Sequence, residues 1–342
     1  MRYTVRCWIN TPAWLALLLC LSACDRSGQG PEPVLIDYVT RIGRVVDAEP
    51  PKVITETLAG YPERREILLT IPESDIGVAQ FIELHDCDLG ALVGYRNSPL
   101  GRTQLASQRL SYEQAWLAAV DRCADAPPWM IELADEKVAQ LPALFWNATF
   151  AAPEMRVAFG SSGLRSEADL AYLLRTLGDA LSGLGNRRFD GQAFEATLGQ
   201  LKQGSWVGYA RQEWALWRAY LGSAALLLDT VQPRLCLNGR PTPRSRRLVN
   251  VFQRYYVDGI QPALAAALGR QEPWIRQLQT LMLELSDRTP APFAAWYRQA
   301  LDPAAVDSEW SRTRRDIVAH AESWQRIFAL CGIELGTALR EY

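Results

Sequence analysis

Hydrophobic residues along this chain recur mostly at three- and four-residue steps, the spacing that lines one face of a helix. Residues 32–48 place Leu35, Tyr38, Ile42, Val45 and Val46 together, and Pro50-Pro51 ends the run. The strongest run covers 205–231, where Trp206, Tyr209, Ala210, Trp214, Trp217, Leu221 and Ala224 keep helical spacing. Trp214 and Trp217 share a face and read as core. The same periodicity predicts helices over 74–94, 99–122, 190–203, 244–269, 272–287, 291–301 and 304–331. Another starts near Pro127-Pro128, with Pro142 kinking or splitting it. Ser166-Glu167-Ala168-Asp169 opens one more as a capping box, closed by Gly183 and Gly185. Ile67-Leu68-Leu69 reads as a short strand or a docked extended segment. No repeat period marks a solenoid, and the strand–helix alternation of a nucleotide-binding sheet is missing. The expected fold class is all-α: an irregular multi-helix bundle with a minor extended segment near 64–71. It forms a single helical domain over 34–342, with a candidate sub-boundary near 160–166.

The first residues follow a different pattern. Arg2 and Arg6 precede an apolar run from Ala13 through Leu21, and the small residues Ser22 and Ala23 lead to Cys24. This is the layout of a secretory signal peptide over 1–23, too short to span a bilayer, which takes roughly 20 apolar residues. Leu21-Ser22-Ala23-Cys24 resembles the bacterial lipobox, which implies cleavage before Cys24 and lipidation of that residue. Several acyl chains together anchor stably. Residues 24–33, rich in Gly, Pro and polar side chains, read as a flexible tether. Asp25 after the lipidated cysteine favours the inner over the outer membrane of a bacterial envelope, with the protein facing the periplasm.

Composition sharpens this picture. Without residues 1–23 the chain keeps 34 basic against 38 acidic residues, a formal charge of −4, which leaves no electrostatic footprint for nucleic acid. A hydrophobic fraction of 49% is globular. Four cysteines remain besides Cys24, and in an oxidising compartment an even set points to two disulfides. Cys87–Cys123 and Cys236–Cys331 are favoured among the three pairings because each joins neighbours in sequence order. A four-cysteine metal site is disfavoured, since no C-x-x-C spacing occurs.

Catalytic signatures are sparse. His85 and His320 are the only histidines, and no zinc-protease, nucleophile-elbow or phosphate-loop motif occurs. Glu83-Leu84-His85-Asp86-Cys87-Asp88 is the densest set of potential ligands, against a bland reading of solvated acids beside a disulfide. The stretch Tyr95-Arg96-Asn97-Ser98-Pro99-Leu100-Gly101-Arg102, continuing to Arg109 and Tyr112-Glu113, is more unusual. Arg102, Arg109 and Glu113 fall on one side of the predicted helix. Two readings stand: local buttressing, or a polar cluster of Arg96, Asn97, Arg102, Arg109 and Glu113 that clamps an anion. Arg240, Arg244, Arg246 and Arg247 crowd a loop and helix start, which suits contact with an anionic surface or plain solvation.

The lipobox with His85-Asp86-Cys87-Asp88-Leu89, Arg96-Asn97-Ser98-Pro99-Leu100-Gly101 and Tyr112-Glu113 resembles a proteobacterial lipoprotein family known as domain of unknown function 3080. The resemblance spans nearly the whole chain after Cys24, implies localisation, and brings no catalytic residue. The expected function is a lipid-anchored module that binds or scaffolds other envelope components, either protein or glycan, with no cofactor and no nucleic acid. Two alternatives compete. One is an enzyme acting on peptidoglycan or lipid through carboxylates such as Glu83, Asp86 or Glu113; the other is a carrier with an apolar cavity.

Overall fold

The computed structural model describes residues 30–334 apart from 75, 88, 161–168, 186–187 and 232–234 and the side chains of His85 and Asp86. Cys24, the signal peptide, most of the tether and Ser166-Glu167-Ala168 lie outside the described residues. The described chain is an irregular all-α bundle, with helices α1 (Glu32–Val46), α2 (Arg64–Ile67), α3 (Val78–Glu83), α4 (Gly90–Asn97), α5 (Pro99–Arg102), α6 (Ala106–Val120), α7 (Pro128–Ala148) and α8 (Pro153–Phe159) in its first half. Helices α9 (Leu170–Ser182), α10 (Gly191–Leu201), α11 (Trp206–Val231), α12 (Pro243–Val251), α13 (Gln261–Glu284), α14 (Ala291–Ala300) and α15 (Glu309–Cys331) complete it. Among the described residues no helix is long and apolar enough to cross a membrane.

Two hydrophobic cores share this frame. The larger gathers Trp116, Phe145, Trp146, Phe150, Phe194, Trp214, Phe293 and Trp296 from α6–α11, α13 and α14. The smaller joins Leu35, Tyr38 and Ile42 of α1 to Trp217, Leu221 and Leu228 of α11 and to Trp324, Ile327 and Phe328 of α15. Helices α11, α13 and α15 run through both, since Leu264 of α13 also reaches the smaller core and Trp310 of α15 the larger. Where they cross from one core to the other their buried side chains turn polar. Arg211 grips Glu309 bidentately, Nε to Oε2 at 2.8 Å and an Nη to Oε1 at 2.6 Å. Arg218 donates to the Glu309 carbonyl at 3.0 Å and to Thr313 at 2.6 Å, and pairs with Glu56. Trp214 closes the seam by donating to Gln271 at 2.9 Å.

Several predicted boundaries shift. The single helix expected over 74–94 is α3, a 3-10 turn at Leu84–Cys87 and α4. The one over 99–122 is α5 and α6, broken at Thr103-Gln104-Leu105, where Gln108 accepts the Leu105 N–H at 3.2 Å. Conversely, Pro142 sits inside an unbroken α7. The break expected near 270 is absent, because α12, a π-helical stretch at Phe252–Ile260 and α13 run on through Pro273. Asp169 still caps α9, accepting the Tyr172 N–H at 3.1 Å.

The expected extended segment begins only after α2. There Asn147 holds Leu69 at both its N–H and C=O, each at 2.8 Å, as a neighbouring strand would. The two-stranded hairpin lies elsewhere, pairing β1 (Cys236–Leu237) with β2 (Arg240–Pro241) antiparallel. Asn238 and Gly239 turn it with φ of 51° and 72°, the positive pair a tight hairpin requires. Disulfides join Cys87 to Cys123 and Cys236 to Cys331, with Cα atoms 5.0 and 5.3 Å apart. Each core thus has one staple, and closing loops of 36 and 95 residues stabilises by about 4–5 kcal/mol each in the chain-entropy picture.

Candidate functional site

The α6–α7 hairpin encloses the main cavity. On α6, Arg109, Tyr112, Glu113 and Trp116 recur at steps of three and four, so they share one face. On α7, Leu133, Lys137 and Gln140 do the same from the opposite wall. The α4–α5 corner supplies Arg96, Asn97 and Arg102, and Pro72, Glu73, Ser74 and Ile76 close the remaining side. The space between them is about 520 Å³, within the roughly 300–1,000 Å³ range of small-molecule sites.

Local chemistry explains the corner. Asn97-Ser98-Pro99 stops α4, and the Ser98 hydroxyl then caps α5 by accepting the Gly101 N–H at 3.1 Å. Gly101 lies so close to the preceding turn that a Cβ would stand 2.8 Å from the Arg96 Cα, so only glycine fits. Its carbonyl accepts from an Arg96 Nη at 2.8 Å, which aims the guanidinium along the corner. Arg96 and Arg102, six residues apart in sequence, reach the same cavity through this fold-back.

Inside, Lys137 donates to Glu113 Oε2 at 2.6 Å, a pair with both side chains at least nine-tenths buried. Arg109 Nε lies 3.9 Å from the other Glu113 oxygen, too far for a hydrogen bond, and has no acceptor among the described residues. The indole N–H of the wholly buried Trp116 has none either. A buried donor left empty costs about 1–3 kcal/mol. Arg102 has no ion pair or hydrogen bond from its side chain among the described residues, whereas Arg211 and Arg218 of the seam each donate from two nitrogens. Burial raises the Tyr112 phenol to about 12, with Glu113 adding to the rise, so it remains an O–H donor at neutral pH.

All five residues singled out as a polar cluster, Arg96, Asn97, Arg102, Arg109 and Glu113, line this one cavity. Trp116, Lys137 and the residues Pro72, Glu73, Ser74 and Ile76 also line it, and the sequence reading does not single them out. The only forewarning of Lys137 is a lysine within the apolar face of α7, beside Leu133, Leu141 and Leu144. The other candidates lie apart. Glu83 accepts from the Trp129 indole at 2.7 Å and Cys87 is in a disulfide, while the His85 and Asp86 side chains are outside the described residues. Glu83 and Glu113 therefore do not meet as a catalytic carboxylate pair, and Glu83 is not among the described residues that line the cavity. Among the described residues no group of three or more His, Cys, Asp or Glu side chains is placed to hold a metal ion. Arg240 sits in the hairpin and Arg244, Arg246 and Arg247 on the first turns of α12; none of them lines the cavity.

No curated protein and no solved structure matches the chain. Residues 35–335, which include both cores, both disulfides and the whole cavity, match the model of one family, described as "Protein of unknown function (DUF3080)", and the chain belongs to that family.

Proposed function

We propose that this protein is a lipid-anchored binding module of a bacterial envelope, tethered through Cys24, whose α6–α7 cavity holds an anionic group of its ligand or partner. The observation that carries the reading is a mainly polar cavity lined by Arg96, Arg102, Arg109 and Lys137, two of whose buried donors, on Arg109 and Trp116, lack acceptors. Arginine suits such recognition because its planar fork of donors matches carboxylate and phosphate oxygens. The apolar run before Cys24 and the Gly- and Pro-containing tether after it support delivery to the periplasmic side of a membrane, the inner one favoured.

Crosslinking of the full-length protein in intact bacteria tests the module. A species captured by the wild type and lost in the Arg96→Ala/Arg102→Ala double variant supports it; identical capture by both overturns the role of the cavity. The anchor is tested separately with Cys24→Ser, which moves the protein from the membrane to the soluble envelope fraction. A Cys24→Ser protein that stays membrane-bound overturns lipidation.

A further inference from the structure

The cavity's charge balance and its two empty donors define its ligand more closely; this step rests on the binding reading above. Among the described lining residues four are cationic, Arg96, Arg102, Arg109 and Lys137, and two are carboxylates, Glu73 and Glu113, so that among them positive charge exceeds negative by two. Lys137 and Glu113 satisfy each other at 2.6 Å. Glu73 is exposed. The uncommitted positive charge therefore lies with the three arginines. Arg102 is exposed on the corner, and Arg96 keeps donors beyond its bond to Gly101. Deeper in, Arg109 Nε and Trp116 Nε1 are buried without acceptors while their side chains line the same space. Water can accept from such donors but brings no charge; an oxygen-rich anion answers the donors and the surplus positive charge together.

We infer that the cavity is a site for a dianionic oxyanion head group, a phosphomonoester or a dicarboxylate, with Arg96 and Arg102 neutralising it and with Arg109 Nε and Trp116 Nε1, once their side chains turn towards the ligand, donating to its oxygens. The head group of a larger polar molecule fits, because 520 Å³ exceeds what one phosphate occupies. Trp116 acts here as a specificity residue, since an indole N–H donates one directed hydrogen bond and carries no charge.

The test uses the natively folded protein with two matched pairs of probes, glycerol 3-phosphate against dimethyl phosphate and succinate against acetate. Calorimetry reads affinity and the ¹⁵N–¹H resonance of the Trp116 indole reads contact. The expected result is at least tenfold tighter binding of the dianion in one or both pairs, with the indole resonance moving in step with saturation. Which pair responds tells a phosphorylated ligand from a carboxylated one. Trp116→Phe then weakens the dianion about tenfold. Saturable binding with no preference for charge, or with an unmoved indole resonance, overturns the inference and leaves the binding module standing. No binding of any of the four probes overturns the anion site itself. Because the resonance is read on the wild type, the outcome does not depend on whether the Trp116 variant folds.

Discussion

Two buried ion pairs in this molecule look alike and do opposite things. Arg211 and Glu309, 4% and 2% exposed, lie in the seam between the cores. Both guanidinium contacts to the carboxylate are short, the Glu309 backbone carbonyl takes a further donor from Arg218, and aromatic rings of Trp296 and Trp310 lie nearby. Lys137 and Glu113, 10% and 6% exposed, are scarcely less buried. Yet around them Arg109 falls short of the carboxylate, and the Trp116 N–H points at no acceptor. Burial alone does not separate a structural pair from a site. What separates them is whether the guanidinium beside the carboxylate reaches it: Arg211 does with two donors, and Arg109 stops at 3.9 Å.

The largest effect expected from this contrast comes from Glu309→Ala, which strands Arg211 in a dry seam and costs about 3–5 kcal/mol. Urea denaturation measures it, and Arg211→Met/Glu309→Leu recovers most of the loss, since an apolar pair replaces a satisfied ionic one at little cost. Lys137→Met comes next, at about 2 kcal/mol. Glu113 loses its short partner, but the adjoining cavity admits water and Arg109 closes in. A loss equal to that of Glu309→Ala would erase the distinction between the pairs.

A third buried polar cluster adds a pH axis. His320 faces the Tyr38 hydroxyl at 2.9 Å and packs beside Tyr256, and burial lowers its pKa to about 3. The unfolded histidine binds a proton near pH 6.5 while the folded one resists it, so this contribution is whole above pH 6.5 and drains as pH falls towards 3. At pH 5 the loss is about 2 kcal/mol relative to neutral pH. The urea midpoint should fall accordingly in the wild type and less in His320→Gln; equal slopes would remove His320 as the cause. The smallest expected change in stability belongs to Arg102→Ala, within about 0.5 kcal/mol, because its side chain is exposed and unengaged. Retained melting temperature with lost anion binding would complete the contrast with the seam.

Some of this was legible in the amino-acid order and some was not, for physical reasons. Helices such as α1, α11 and α15 announce themselves because one face of each must leave water, which imposes a period on the residues. The break at Thr103-Gln104-Leu105 carries no glycine or proline, so propensity does not mark it. Asn238-Gly239 did carry a hairpin signal, obscured by the arginines that follow. Arg96 and Arg102 were legible as a pair because a local turn unites them. Lys137 and Glu113 meet across 24 residues, and Arg211 and Glu309 across 98; helical spacing says nothing about such pairings. A charged residue inside an apolar stripe, as with Arg211 and Arg218 on either side of Trp214 and Trp217, is the one trace they leave.

The placement of α1 has a consequence for how the chain matures. Its Tyr38 contacts His320, 282 residues further on, and Trp324. A ribosome adding about 5–20 residues per second needs roughly 15–60 s to supply those partners. Until then α1 can cover its apolar face only in part, against α11 and α12, while the α6–α7 hairpin can close on its own neighbours. The earliest of the described helices in the chain is thus among the last to complete its packing, which makes α1 a natural handhold for a chaperone and a place where a stalled chain would aggregate.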